Sequence, residues 1–221
     1  EIKLGTIRIS GDPFPKDMLH RIADIFFDDE YRLSLLDLDG TVLDIGARIG
    51  EFTLAVLHWN PNARIIAFEP LPWCRNAFIR NVQNSFPGAN VTLIEGAVIG
   101  GNEIKKGVMY KDISQAFCFP TNGVHPLVET FETTQYGILK VLEMYGPVKL
   151  LKMDCEGCEK LVLPSLQEIG FEGVEQITME WHDAIGLYDY GWAYHMLSQH
   201  YKEVKYTERE SRTVMILARG R

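Results

Sequence analysis

The stretch from Thr41 to Gly50 constrains the fold more than any other part of this sequence. Residues 41–45 form a short apolar, β-branched run, which is typical of a buried strand. A glycine follows at position 46, and apolar residues then recur at helical spacing as far as Trp59. A strand, a glycine turn and a helix in this order predict the opening unit of a doubly wound α/β sheet, in which ligands bind at such turns.

The residues of the glycine turn indicate which ligand would fit there. Gly46 can adopt backbone angles that a Cβ atom forbids, and a ligand can approach its main chain. A pyrophosphate would favour glycine at position 48 as well, because the phosphates press against the backbone, but position 48 is an arginine. The turn therefore favours a ligand without a phosphate at this point, of which S-adenosylmethionine is the common one. A tight turn that binds no ligand is the alternative.

Length and composition restrict the class of protein. The 221 residues suit one domain over 1–221, and 46% hydrophobic with 24% charged residues is typical of a soluble globular domain. The net charge of −8, without a basic stripe, argues against nucleic acid as a main partner. No apolar run approaches the roughly 20 residues of a membrane span, and no signal peptide is visible. We therefore expect no membrane partner and a cytoplasmic location, and the oligomeric state stays open.

The cysteines at 74, 118, 155 and 158 lack the spacing of a secreted disulfide framework, so a reducing compartment is expected. The pair Cys155-x-x-Cys158 follows a predicted strand at the start of a helix, where redox pairs can occur. One such pair without a second is weak evidence for zinc. We interpret both residues as inert thiols, with a redox or metal role as the alternative.

Hydrophobic periodicity predicts alternating strands and helices. The predicted helices are 15–27, 49–59, 73–86, 135–145, 158–168 and 192–200. The predicted strands are 3–9 at an edge, then 41–45, 64–68, 91–94, 148–153, 176–181, 201–206 and 213–218. This order predicts a doubly wound, mostly parallel seven-stranded sheet with an antiparallel closing strand, in a single domain with an N-terminal helical extension at 1–38.

The segment 97–147 is longer than a simple connection between parallel strands requires. It contains several aromatic and polar residues, namely Tyr110, Gln115, Phe117, Phe119, His125 and Tyr136. We interpret it as an insertion that covers the substrate side of the site, with a decorative loop and hairpin as the alternative.

Acidic residues stand at or next to the ends of five predicted strands. They are Asp44, Glu69, Glu95, Asp154 and Glu180. Because ligands bind beyond the carboxyl ends of strands in an open α/β sheet, these residues predict one crevice. They suit a cationic, hydroxyl-rich ligand such as S-adenosylmethionine, which carries a sulfonium, an ammonium and a ribose diol. Glu69 is placed to accept hydrogen bonds from ribose hydroxyls, and Glu95 with Gly96 would lie near the adenine ring.

The residues after the fourth and fifth core strands are the catalytic candidates. Much of the acceleration of an in-line methyl transfer should come from holding acceptor and methyl group in line, and a hydroxyl acceptor also needs a base. We predict Glu156 or His182 as the base, with Asp154 and Glu180 as orienting groups and no metal. Alternatively, these four residues hold a divalent cation that binds the acceptor oxygen.

A further interpretation of the acidic cluster is structural. Glu156 and Glu159 stand at the start of a predicted helix, where a carboxylate stabilises the first turn through the helix dipole.

Several motifs together resemble the FkbM family of S-adenosylmethionine-dependent methyltransferases. The matching segments are 42–50, 68–70, 81, 90–100, 150–159 and 179–182. The resemblance implies a class I methyltransferase (Rossmann-like) fold and mostly O-methylation of hydroxyls on sugars or other small metabolites. It also implies cofactor contacts at the positions of Asp44, Gly46, Glu69 and Glu95. The full set of predicted cofactor-binding residues is Asp44, Gly46, Arg48, Gly50, Glu69, Pro70, Glu95, Gly96 and Asp154.

The chain departs from the family pattern at two places. The family usually has asparagine where Arg48 stands, and small or apolar residues where Cys155 and Cys158 stand. Two other functions compete with the methyltransferase interpretation. One is a nicotinamide-dependent oxidoreductase on a similar sheet, against which Arg48 and the carboxylate cluster weigh. The other is a non-catalytic module that binds S-adenosylmethionine without turnover.

Overall fold

The structure is a computed structural model that describes residues 2–11, 18–111, 116–117, 129–182, 189–208 and 213–221, with the backbone alone at 116–117. Its helices are α1 (Met18–Phe26), α2 (Glu51–Trp59), α3 (Pro72–Ser85), α4 (Ile138–Tyr145), α5 (Glu159–Glu168) and α6 (Tyr190–Ser198), with a 3₁₀ turn at Leu33–Leu35. Its strands are β1 (Ile2–Leu4), β2 (Ile7–Ile9), β3 (Thr41–Ile45), β4 (Arg64–Glu69), β5 (Val91–Glu95), β6 (Ala97–Ile99), β7 (Ile104–Lys111), β8 (Ala116–Phe117), β9 (Glu129–Gly137), β10 (Leu150–Met153), β11 (Ile177–His182), β12 (Glu203–Glu208) and β13 (Thr213–Arg219).

Seven strands form the main sheet in the order β12-β13-β11-β10-β3-β4-β5. The five strands from β11 to β5 are parallel, and β13 and β12 add to the β11 edge as an antiparallel pair. The predicted doubly wound, mostly parallel seven-stranded sheet is confirmed, and two antiparallel strands close it. The carboxyl ends of the parallel strands therefore meet at one edge, where ligand sites form in such folds.

Apolar layers cover both faces of the sheet. On the central strand β3, Val42 packs into the layer that contains Phe52 and Phe78, which come from α2 and α3. The next residue, Leu43, packs into the opposite layer, which contains Val162 of α5. Successive side chains of a strand point to opposite faces, so a strand between two helical layers must be apolar on both.

Local signals explain where some helices begin. Pro72 opens α3, a position where its missing amide hydrogen costs nothing. Asp189 caps α6 by accepting a hydrogen bond from the Trp192 amide at 2.9 Å. This cap starts α6 at Tyr190, before the predicted start at 192. No helix in the described ranges is long and apolar enough to cross a membrane.

The segment after β5 builds a second sheet, in the order β6-β9-β7-β8. The helix predicted at 135–145 is only partly correct, because Gln135–Gly137 pair with Ala97–Ile99 as strand and the helix begins at Ile138. Gln115, Phe119, His125 and the side chain of Phe117 lie outside the described residues. The role of 97–147 as a substrate cover stays a prediction.

The N-terminal segment is tied to α3. Residues 3–9 were expected to form an edge strand, but β1 and β2 instead pair as a separate antiparallel hairpin. Asn81 of α3 accepts a hydrogen bond from the Ser10 amide and donates one to the carbonyl oxygen of Ile49, both at 2.9 Å. One buried side chain thus connects the N-terminal segment with the turn after β3. That 1–38 extends a single domain spanning 1–221 stays a prediction.

Candidate active site

A cleft of about 790 Å³ opens at the carboxyl ends of β3, β4 and β10. Its walls come from the turn after β3, the end of β4, the start of β6 and the loop after β10. Arg21 and Ile25 of α1 line it as well, together with Tyr31, and Met109 of the second sheet contributes to the wall. A cleft at this edge is where small-molecule sites form in α/β proteins.

Backbone packing determines the turn after β3. Gly46 has a φ of +78°, and a Cβ atom there would lie 2.0 Å from the carbonyl oxygen of Asp154. The Gly46 amide donates a hydrogen bond to the carbonyl oxygen of Phe68 at 3.1 Å. The close main chain at Asp154 therefore requires glycine at this position, whether or not a ligand also contacts it.

Arg48 occupies the left-handed backbone region, with a φ of +49°. Asparagine enters that region more readily than most residues, which gives a physical reason for the asparagine usual in the resembling family. The Arg48 amide donates to Oε2 of Glu69 at 2.8 Å, and its guanidinium lies 3.5 Å from Oε1 of Glu51. The main chain of this residue, as well as its side chain, thus shapes the cleft.

Glu69 presents a buried carboxyl to the cleft, with 5% of the residue exposed. Its Oε1 accepts a hydrogen bond from the Leu71 amide at 2.8 Å, while Oε2 accepts the one from Arg48. Burial raises the pKa of Glu69 to about 7, although both amides act to lower it. Because a carboxylate oxygen can accept two hydrogen bonds, each oxygen retains capacity for a hydroxyl group of a ligand.

Asp44 lies beneath the cleft and not in its wall. Lys152 of β10 contacts Asp44 Oδ1 at 3.1 Å and donates to the carbonyl oxygen of Gly46 at 2.8 Å, while Thr53 donates to Asp44 Oδ2. Burial alone would lower the pKa of Lys152, but Asp44 and Asp154 hold it above its ordinary value. This buried ion pair supports the glycine turn from below.

Asp154 follows β10 and lines the cleft. Its Oδ2 accepts a hydrogen bond from the Tyr31 hydroxyl at 2.8 Å and contacts the guanidinium of Arg21 at 3.3 Å. Burial favours the protonated acid, but Arg21, Lys152 and His182 hold the pKa of Asp154 well below its ordinary value. Asp154 is therefore a fixed negative charge in the wall of the cleft.

Glu156 also lines the cleft, from a loop with unusual backbone geometry. Its φ is +54°, in the left-handed region that residues with a Cβ rarely adopt, and such outliers cluster at functional sites. Its Oε2 lies 3.5 Å from Nε2 of His182. Burial raises the pKa of Glu156 to about 7, with His182 acting in the opposite direction.

Cys155 and Cys158 form a disulfide across this loop, so the prediction of two inert thiols is wrong. The turn between β10 and α5 brings their Cα atoms to 5.5 Å, within the range that a disulfide spans. The bond encloses Glu156 in a four-residue loop. The buried Cys74 is a free cysteine within the described residues.

His182 lies behind Glu156, at the end of β11. Its Nδ1 is 3.3 Å from Oε1 of Glu159. Oε1 of Glu159 also accepts a hydrogen bond from the Cys155 amide, and Oε2 accepts one from the Gly157 amide, both at 2.9 Å. Burial disfavours its charged form, but the carboxylates of Glu159 and Glu156 raise the pKa of His182 well above its ordinary value. Glu159 thus holds the loop between β10 and α5 through its amides, and its effect on the first turn of α5 through the helix dipole stays a prediction.

Glu180 lies two residues before His182 on the same face of β11, as its spacing predicts. Donor atoms of Glu180, His182 and Asp154 all lie within 4.8 Å of one another. Burial is the largest cause of the raised pKa of Glu180, and the negative charge of Asp154 is the second largest.

The structure separates the predicted site residues into three groups. The cleft is lined by Gly46, Arg48, Glu69, Pro70, Gly96, Asp154 and Glu156. Glu180 and His182 lie directly behind this wall. Asp44, Gly50 and Glu95 do not line the cleft, because Asp44 is buried below it, Gly50 packs against Phe78, and Glu95 is an exposed partner of Arg75. Their roles as cofactor contacts stay predictions.

The sequence interpretation missed Lys152, Arg21 and Tyr31. A lysine inside the apolar strand Leu150–Met153 is a visible signal, because an unpaired buried ammonium is costly. Arg21 and Tyr31 carry no such signal, since they approach Asp154 only through the tertiary fold.

Known proteins that are similar to this chain include several methyltransferases. The chain is 26% identical over 200 residues to Methyltransferase 1 of Beauveria bassiana, covering 77% of this chain and 75% of the relative. It is 25% identical over 198 residues to Methyltransferase sdnD of Sordaria araneosa, covering 74% of each. Among solved structures, precorrin-6y C5,15-methyltransferase from Geobacter metallireducens GS-15 aligns with a TM-score of 0.53 and 15% identity, over 97% of this chain and 94% of that one.

The structural alignment supports the class I methyltransferase fold and, at this identity, no more than the fold. The family comparison goes further, because the model of the Methyltransferase FkbM domain matches residues 44–203. That range includes the glycine turn, Glu69, the Asp154–Glu159 loop and His182. The chain therefore belongs to the FkbM family and is a methyltransferase that uses S-adenosylmethionine.

Proposed function

We propose that this enzyme methylates a hydroxyl oxygen of a small molecule or glycan, with Glu156 accepting the proton. The observation that carries the proposal is the position of Glu156, a carboxyl in the cleft wall beside His182. A hydroxyl oxygen is a poor nucleophile until its proton is removed, so a carboxylate at the reacting edge favours this acceptor class.

The other end of the cleft fits S-adenosylmethionine. Glu69 retains hydrogen-bonding capacity for ribose hydroxyls. The turn at Gly46–Arg48 lines the cleft, where the amino acid portion of the donor would lie. Gly96 and Val98 provide a largely apolar wall suited to an adenine ring. When bound, the cofactor supplies a methyl group on a sulfonium centre.

His182 orients Glu156, since its Nε2 lies 3.5 Å from Oε2 of Glu156, and Oδ1 of Asp154 lies 3.9 Å from the same ring nitrogen. Asp154 is fixed by Tyr31 and Arg21, and His182 is fixed by Glu159. Much of the rate enhancement in an in-line transfer comes from holding the reacting groups in position, and rigid neighbours of the base contribute to this.

A small acceptor fits the surroundings of the cleft. Arg21 and Ile25 of α1 and Met109 of the second sheet enclose it, and we infer that the segment 97–147 covers the bound acceptor. The net charge of −8 gives no support for a nucleic acid acceptor.

The test is a screen with methyl-labelled S-adenosylmethionine against hydroxylated small molecules and glycans, matched by amine analogues of the same compounds. Labelled methyl ethers are the expected product. Products from the amine analogues alone would overturn the hydroxyl assignment. Binding of S-adenosylhomocysteine in calorimetry, with no product from any acceptor, would favour the non-catalytic binding module instead.

A further inference from the structure

Three side chains that could share one ion meet behind the wall of the cleft. Donor atoms of Asp154, Glu180 and His182 all lie within 4.8 Å of one another. Oxygen ligands bind divalent cations at roughly 2.0–2.6 Å, so one ion between these atoms could contact all three. The residues follow or end the adjacent strands β10 and β11, which hold them in place.

A buried oxygen without a partner gives a second, independent indication. Glu180 is 5% exposed, and among the described residues its Oε2 has no hydrogen-bond partner. A buried carboxylate oxygen left without a partner costs free energy, and a bound cation would satisfy it.

The neighbouring groups orient the remaining donors toward the same point. Glu159 engages Nδ1 of His182 at 3.3 Å, which leaves Nε2 facing Oδ1 of Asp154 at 3.9 Å. Tyr31 and Arg21 both contact Oδ2 of Asp154, so that Oδ1 is the oxygen turned toward His182. A histidine whose second nitrogen is held by a carboxylate is the usual arrangement behind a metal ligand.

Charge also favours a cation here. Asp154, Glu156 and Glu159 all lie within 4.0 Å of a ring nitrogen of His182, and Glu180 adds a fourth carboxyl group. Of the nearby cationic side chains, Arg21 offsets part of this negative charge through its contact with Asp154, while Lys152 is paired with Asp44.

We propose that Asp154, Glu180 and His182 bind one divalent cation of the Mn²⁺ or Mg²⁺ type, next to Glu156. Carboxylates suit these hard ions, and the imidazole favours Mn²⁺ of the two. The ion replaces the proton on Nε2 of His182, which is released to solvent. The role of the ion rests on the proposed function: it holds the acceptor oxygen in line with the methyl group. Binding of the ion does not depend on that function.

The experiment is a Mn²⁺ titration of the tag-free full chain, stripped with a chelator and followed by electron paramagnetic resonance. We expect one bound Mn²⁺ per chain. Glu180→Gln should weaken binding at least tenfold, and Glu143→Gln, an exposed acid on α4, should leave it unchanged. No stoichiometric binding by the wild type, or equal binding by Glu180→Gln, would overturn the proposal.

A second measurement uses the wild type alone, in case Glu180→Gln does not fold. Crystals soaked in Mn²⁺ should show an anomalous peak between Asp154, Glu180 and His182. A peak only at other positions, or none, would contradict the site.

Parallel assays separate this inference from the proposed function. Stoichiometric Mn²⁺ at this site, with methylation of amine analogues alone, would retain the ion and overturn the hydroxyl acceptor. Methyl ether formation that is unchanged by EDTA, in a protein that binds no Mn²⁺, would retain the acceptor and overturn the ion.

Discussion

The two ends of the cleft are built by different means. At the cofactor end, defined here by Gly46, Arg48, Glu69 and Gly96, main-chain geometry and amide donors dominate. At the acidic end, defined by Asp154, Glu156, Glu159, Glu180 and His182, the contacts are between charged side chains brought together by the fold. Substitutions should therefore affect chemistry mainly at the acidic end and cofactor affinity mainly at the other.

The largest expected effect comes from Glu156→Gln, which keeps the shape of the side chain and removes the base. We expect kcat to fall by about 10²- to 10⁴-fold, the range typical of general base catalysis. The dissociation constant of S-adenosylhomocysteine should stay within about twofold, since Glu69 and the glycine turn are unchanged.

Steady-state kinetics with an acceptor from the screen, together with calorimetry, measures both quantities. Glu143→Gln serves as the exposed control, with no change expected. A fall in kcat of less than about tenfold would remove Glu156 from the role of base.

The buried ion pair between Lys152 and Asp44 lies beneath the cleft, and its removal tests how much it stabilises the fold. Lys152→Met leaves Asp44 buried without its cation, which should lower the free energy of unfolding by about 3–5 kcal/mol. Lys149→Met, three residues earlier, removes two partly exposed ion pairs, with Asp37 and Glu175, and should cost about 1 kcal/mol. Urea unfolding of both variants gives the comparison. Equal losses would mean that the buried pair has no special part in stability.

The difference between the two ends also explains which site residues could be predicted from the sequence. The glycine turn and Glu69 could be predicted from the sequence, because a strand, its turn and the end of the next strand are local features with a fixed order. Even there, Asp44 was expected in the crevice, whereas the paired lysine and Thr53 hold it below. The order of strands was predictable from the alternation of strands and helices.

The acidic end could be predicted only in part from the sequence. Its residues were predicted as candidates, but the link from Glu159 to His182 joins positions 23 apart through the tertiary fold. The disulfide depends on the separation of Cys155 and Cys158 across one turn, which the spacing alone does not give. Arg21 and Tyr31 approach Asp154 from more than 120 positions away, and no local pattern indicates that contact.

A comparison of two strand-end acids tests the cofactor end directly. Glu69→Gln should weaken binding of S-adenosylhomocysteine by about 10- to 100-fold, because hydrogen bonds to a charged group contribute roughly 1.5–3 kcal/mol. Glu95→Gln changes an exposed carboxylate paired with Arg75 and should stay within about twofold. Isothermal titration calorimetry measures both. Equal effects would show that Glu95 also contacts the cofactor.

The pH dependence of the same binding follows from the buried state of Glu69. Its pKa of about 7 means that the carboxylate dominates above pH 7 and the neutral acid below. The carboxylate accepts from the ribose hydroxyls, so affinity should be highest above pH 7 and fall as the pH is lowered through 7. Calorimetry between pH 5.5 and 8.5 should show this slope in the wild type and lose it in Glu69→Gln. A slope that survives the substitution would assign it to another group.

The smallest expected effect is that of Arg48→Asn. The Arg48 amide holds Glu69, and asparagine keeps that amide, so cofactor affinity should stay within about twofold. Stability should change by no more than about 1 kcal/mol, because asparagine relieves strain at a φ of +49° while the contact with Glu51 is lost. Calorimetry and urea unfolding check the two expectations. A tenfold loss of affinity would show that a side chain contributes as much at the cofactor end as at the acidic end, and the contrast between the two ends would then no longer hold.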